Sequence, residues 1–156
     1  MGGDFEHRWG ETREAVLAMQ ELWSKNEAEF HGKYYDFPPV RSFPKPLHPS
    51  GPPIYVGAFA MGNVFRRIAA YGNGWITWML SLEQVREGRE RLSHTAAACG
   101  RAPHSIEVVA APVPPDRDGI RTFAEAGADS GIIFLVPGEE HAMLEELERI
   151  AQFALL

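Results

Sequence analysis

After Pro53 the chain alternates, four times over, between short runs of strand-forming residues and longer runs with helical spacing, and this rhythm constrains the fold more than any other feature. Residues 54–58 form the first predicted strand, residues 62–71 a helix stopping at Gly72, and residues 75–79 the second strand. Ser81 and Gln84 are spaced as a capping box. They open a helix whose buried side carries Val85, Leu92, Ala96 and Cys99, and Gly100 closes it. "SIEVVAAPV" is the third strand, and Asp116 or Asp118 caps a helix holding Ile120, Phe123 and Ala124, which Gly127 ends. The fourth strand is "SGIIFLV". Met143, Leu144, Leu147, Ile150, Ala151 and Ala154 then line one face of a final helix, with Glu139 and Glu140 in the first turn, where acids are favoured.

Strands that are nearly all apolar, with helices between them, indicate a parallel sheet covered by helices. Two architectures share the rhythm, an open doubly wound sheet and a β/α barrel, and periodicity does not separate them. A complete eight-unit barrel takes about 250 residues, so a chain of 156 holds about half of one.

Ahead of the repeats, Arg8 to about Lys25 reads as an amphipathic helix, with Thr12 (by its methyl), Ala15, Val16, Met19, Leu22 and Trp23 at helical spacing. "FHGKYYDFPPVRSFPKPLHPSGPP" follows, mixing strand-forming aromatics with prolines that block helix. It is expected to be extended, as a small hairpin and stiff lead-in or as a plain linker. The expected organisation is a single domain over 1–156, with a lead-in over 1–52 and βα repeats over 53–156.

Composition narrows the partners. With 45% hydrophobic and 23% charged residues the chain is expected to fold around a core. A net charge of -6 without a basic stripe argues against nucleic acid. The lone Cys99 excludes an internal disulfide or multi-cysteine metal site, and reads as a small core residue in a reducing cytosol. The polar N-terminus is no signal peptide, and no apolar run nears the roughly 20 residues of a membrane helix. The expectation is a soluble cytoplasmic protein with no membrane partner. The six histidines lack paired ligand spacing, so no metal is expected.

The turn Gly57, Ala58, Phe59, Ala60 stands where a strand ends and a helix is about to begin. In parallel α/β folds such loops build ligand sites, and small residues let backbone amides approach a phosphate. The plainer alternative is a tight turn with no ligand. It is neither a P-loop nor a dinucleotide fingerprint, because the lysine and the glycine spacing are missing. Arg66 and Arg67 could assist an anion, although a barrel's outer helices are expected to carry solvent-facing charges there. Trp75 and Trp78 straddle a strand, placing one to stack on a ligand and the other on core. No Gly-x-Ser-x-Gly or Cys/His pair supports nucleophilic hydrolysis.

Taken in order, "ETREAVLAMQELW", "FHGKYYDF", "PKPLHPSGPPIYVGA", "RRIAAYGNGW" and "CGRAPHSIEV" resemble the C-terminal half of the luciferase-like monooxygenase family, most of all its coenzyme F420-dependent oxidoreductase branch. The resemblance implies part of a (β/α)8 TIM-type barrel, about four βα units after an N-terminal helix and a Pro-rich segment. It implies F420, or alternatively FMN, at the carboxyl ends of the strands, and a small-molecule substrate. The family's Gly-Gly phosphate turn matches Gly57 and Ala58, followed by Phe59 and Ala60. Its Gly-Asp-Gly-Trp matches "GNGW", where Asn73 reads more simply as part of a turn, and Trp75, Ile76 and Thr77 become candidate pocket lining. The barrel's first half has no counterpart here, so catalytic residues are not assigned, and a homo-oligomer or a partner completing the barrel is implied. The alternative is a noncatalytic truncated barrel or interaction subunit.

Overall fold

The structure is a computed structural model that describes residues 5–48 and 51–154. Pro49 and Ser50 of the predicted extended segment lie outside the described residues. The chain divides into two compact units, Met1–Ile54 and Tyr55–Leu156.

In the first unit, α1 (Arg8–Ser24) is followed by the antiparallel strands β1 (Ala28–His31) and β2 (Asp36–Val40). Phe30 pairs with Phe37 and their rings stack at 6.3 Å between centroids. Pro38 and Pro39 are tolerated because a two-stranded sheet leaves each strand a free edge. Of the helix's predicted apolar face only Val16 is buried, with Ala18, while Thr12 and Met19 are exposed. Lys45 donates to the carbonyls of Leu22 (2.6 Å) and Lys25, setting a cation against the negative end of the helix.

Helix and hairpin are joined by Glu14, whose Oε2 accepts from the N–H groups of Tyr34 (2.7 Å) and Tyr35 (3.3 Å). The Tyr34 amide, against some desolvation and with help from neighbouring amides and Arg13, holds the Glu14 carboxyl below its ordinary value near 4.5. A lowered folded value means the bond stabilises fully above the unfolded value and is lost as pH falls through the folded one. Hydrogen exchange at Tyr34 and Tyr35 is therefore expected to accelerate below about pH 4.5, beyond the intrinsic trend. Glu14→Gln should abolish that acid-dependent component, and an unchanged profile in the variant would remove Glu14 from the join.

The second unit runs β3 (Tyr55–Gly57), α2 (Val64–Tyr71), β4 (Gly74–Ile76), α3 (Leu82–Ala98), β5 (Glu107–Ala110), α4 (Arg117–Glu125), β6 (Ser130–Gly131), α5 (Glu140–Ala154). The strands form one parallel sheet in the sequential order β3-β4-β5-β6. A doubly wound sheet reverses its strand order at a switch point and carries helices on both faces. Here the order never reverses, and α2 packs on α3, α3 on α4 and α4 on α5. Right-handed crossovers in one direction lay every helix on one face. This is the winding of a β/α barrel, and four of its units are present.

The local signals formed as their chemistry dictates. Ser81 and Gln84 close a reciprocal capping box at 3.2 and 2.9 Å, and Asp116 Oδ1 accepts from Gly119 N at 2.6 Å. Gly100 takes a positive φ of 76° after α3. Arg101 donates to the carbonyls of Ala69 (3.2 Å) and Gly72 (2.7 Å), satisfying the end of α2. The strands are shorter than predicted. Thr77 and Met79 still donate to the Val109 and Ala111 carbonyls at 2.9 and 2.7 Å, so pairing continues past β4.

One expectation about burial is corrected. Cys99 is the C-cap of α3 and is exposed, because the cap residue turns away as the helix unwinds. On α5 only Ile150 is buried, whereas Leu144 and Leu147 are about half exposed. Its main helical neighbour is α4, which leaves much of a wide apolar stripe without a partner.

Candidate functional site

The sheet has two unlike faces, and Trp75 identifies them. Its ring is fully buried, meets Phe65 of α2 edge-on at 5.1 Å and lies over Gly88 of α3, where any Cβ would overlap it. Side chains alternate along a strand, so Trp75 faces the helices and Gly74 and Ile76 face the inner side. Thr77 is also on the helix side, 1% exposed, its hydroxyl accepting from Ala111 N at 3.2 Å. The helix-facing core absorbs Trp75 and Thr77, and of the three residues predicted on this strand Ile76 is the one on the inner face.

Gly57 pairs with Ile76 at the carboxyl end of β3, and Ala58, Phe59 and Ala60 continue from it as one turn. The sheet and core hold this turn from behind. Ala58 N–H donates to Ile76 O at 3.3 Å, and Ala58 O accepts from Trp75 Nε1 at 2.8 Å. Trp75 therefore supports the turn instead of lining its front. Ala58's amide is committed to the sheet, whereas among the described residues the N–H groups of Phe59 and Ala60 have no partner. A Cβ built on Gly57 meets nothing within 4 Å, so open space lies before it.

Three residues after the turn, α2 begins without a side-chain cap from Asn63. Val64 N–H donates to Met61 O at 3.3 Å and Arg67 N–H to Asn63 O at 3.1 Å, so among the described residues the first-turn amides left open are those of Phe65 and Arg66, where the helix dipole favours an anion. Beside this end lies a cleft of about 500 Å³ between α2 and α3, lined among others by Arg66, Arg91 and His94. Arg91 donates to Ala60 O at 3.1 Å and stacks on Phe65 at 4.9 Å, fixing the turn's far side. Sequence reasoning missed Arg91, since nothing local links α3 to a turn 31 positions earlier. Arg66 is exposed, as an outer helix suggested.

A second polar feature on the inner face also escaped the sequence. Tyr55 reaches across Gly74 to donate to Glu107, whose other oxygen accepts from Ser130 Oγ at 2.6 Å. Any side chain at Gly74 would overlap the Tyr55 ring. The acceptor Glu107, with some desolvation, raises the Tyr55 phenol above its ordinary 10.0 and keeps it a donor. One signal was visible: an acid alone in an otherwise apolar strand. All three residues stand at the amino ends of their strands, the end opposite the glycine turn, so they tie the sheet together away from that turn.

A parallel sheet wound in one direction with its helices on one face is part of a β/α barrel, a fold whose ligand sites are built by the loops at the carboxyl ends of the strands. The comparisons with known proteins narrow the class. The chain belongs to the luciferase-like monooxygenase family, which matches residues 1–115. It is 34% identical over 125 residues to an uncharacterized protein of Mycobacterium tuberculosis, covering 80% of this chain and 43% of that one. It is 35% identical over 110 residues to the F420-dependent glucose-6-phosphate dehydrogenase of Kineococcus radiotolerans, covering 65% and 31%. Among solved structures, DmoA from Hyphomicrobium sulfonivorans superposes with a TM-score of 0.60 at 18% identity, over 99% of this chain and 43% of that one. The chain thus spans less than half the length of the curated relatives it matches. No described helix is long and apolar enough to cross a membrane, and the described residues contain no group of three potential metal ligands.

Proposed function

We propose that this chain provides the phosphate-holding side of an oxidoreductase site that uses coenzyme F420 and acts on a small organic substrate. The observation that carries the reading is the turn Gly57–Ala60, with free amides at Phe59 and Ala60 beside the uncapped start of α2. These residues fit a phosphate: donors are open, Gly57 leaves room, and the carbonyl of Ala58 is drawn back by Trp75. When bound, the deazaflavin supplies the hydride chemistry. The chain's part is to anchor the phosphate with the Phe59 and Ala60 amides, to place Ile76 under the ring side, and to exclude water. FMN carries the same kind of phosphate and is the alternative cofactor.

Among the described residues β3 and β6 each pair on one side only, which leaves two open sheet edges. Further strands, from a second copy or from a partner, would complete a cytoplasmic barrel. Titrating the purified chain with oxidised F420 and, in parallel, with FMN is expected to give saturable micromolar binding of F420. Absence of binding by either would replace the reading with a noncatalytic interaction subunit. Gly57→Val is expected to weaken F420 binding at least about tenfold, or about 1.4 kcal/mol, by filling the space before the amides. Its circular dichroism should be unchanged, since among the described residues nothing lies within 4 Å of a Cβ at that position. Equal affinity in the variant would remove the turn from the site.

A further inference from the structure

A second cleft, of about 450 Å³, opens where the segments following β4, β5 and β6 come together at the carboxyl end of the sheet. Its walls are Met79, Leu80, Val113, Phe123 and Phe134, completed by three prolines, and none of its lining side chains is titratable. The backbone offers few donors, the N–H groups of Leu80 and Phe134. Pro112, Pro114 and Pro115 have no N–H to offer. The N–H groups of Met79 and Val113 are committed to the carbonyls of Ala111 (2.7 Å) and Ile132 (2.9 Å). A sugar or a phosphate entering here would lose its water and gain few hydrogen bonds.

Apolar surface, in contrast, is abundant and held in place. Met79 sits at φ 52°, a left-handed conformation that a residue with a Cβ adopts at a cost, and its side chain is 72% exposed. The Ala111 hydrogen bond maintains that conformation, so the thioether is presented outward by the fold. Phe134 meets Trp78 edge-on at 5.7 Å, and both rings stay about half exposed. Aromatic and thioether side chains are the groups that adapt to a flat or flexible apolar guest.

We infer that the cleft of Met79, Val113 and Phe134, extended by Trp78, binds the uncharged apolar body of the substrate, an aliphatic or aromatic organic compound and not a sugar phosphate. The inference rests on the oxidoreductase reading for calling the guest a substrate, but the cleft's chemistry stands apart from the cofactor turn. It also sets this chain apart from the relatives whose names specify glucose 6-phosphate.

The test uses the full chain and the neutral fluorophore prodan as probe. Saturable binding with a blue-shifted emission is expected, with 2-decanone displacing the probe and glucose 6-phosphate leaving it in place. Phe134→Asp should weaken prodan at least about tenfold and leave F420 affinity unchanged. Met79→Gly supplies an independent arm: it relieves the left-handed backbone and so should melt no lower than the parent, yet bind prodan more weakly. No blue shift, displacement by glucose 6-phosphate, or parental prodan affinity in both variants would overturn the inference. Binding of prodan without binding of F420 would retain the apolar cleft and refute the oxidoreductase reading, so the two failures are distinguishable.

Discussion

Trp75→Ala is expected to destabilise the βα unit by about 3–5 kcal/mol, the largest single-residue effect in the chain. The indole is fully buried between the sheet and α2 and α3, touching Phe65 and roofing Gly88, so truncation leaves a cavity that the helices cannot close without shifting. Trp75→Phe separates packing from hydrogen bonding. It keeps a ring against Phe65 but deprives Ala58 O of its donor, for about 1–3 kcal/mol. Urea unfolding monitored by far-ultraviolet circular dichroism measures both. Because Ala58 belongs to the glycine turn, Trp75→Phe should also speed hydrogen exchange at Phe59 and lower F420 affinity. A variant with full stability and an unchanged turn would show that the core does not hold the site.

Arg89→Leu is expected to destabilise the same unit by about 2–4 kcal/mol, through charge-assisted bonds to carbonyls. From α3 the guanidinium reaches Gly127 O (2.8 Å), Ile106 O (3.0 Å) and Asp129, and Asp129 in turn accepts from Val108 N at 2.7 Å. One side chain thereby fastens a helix to the amino ends of β5 and β6. The upper end of the range is tempered because Asp129 is half exposed and regains water when its partner is gone. Exchange protection should fall most at Val108 and Asp129 and least at Val56. Uniform loss, or none, would mean the network is not local to these strands. F420 affinity should be nearly unchanged, since these contacts lie at the end of the sheet away from the glycine turn.

Where hydrogen bonds close within four residues, reading the chain was enough. Ser81 finds Gln84 and Gly100 stops a helix, because each partner is fixed by the backbone between them, and the cap left open between Asp116 and Asp118 falls to Asp116, which accepts from Gly119. The small hairpin offered as one reading of the Pro-rich segment forms, but its register, with Phe30 opposite Phe37, was not in the sequence reading. Resemblance to a known family added the glycine turn and its ligand class, neither of which spacing alone required.

Other features depended on partners distant in the chain. Trp75, Ile76 and Thr77 are all apolar or small enough for either side of a strand, so no pattern told which of them faced the helices. Arg91 joins the turn, Glu107 joins Tyr55 to Ser130, and Leu144 stays exposed only because of which elements lie beside α5. The sequence alone therefore determined the alternation of strands and helices, their caps and their breaks, since propensity and capping act over a few residues. The order of strands, hence barrel winding over an open sheet, and the face each side chain takes, hence which candidates front a ligand, were decided in three dimensions. Those choices turn on contacts between segments tens of residues apart, and their free energies are not written in any one segment.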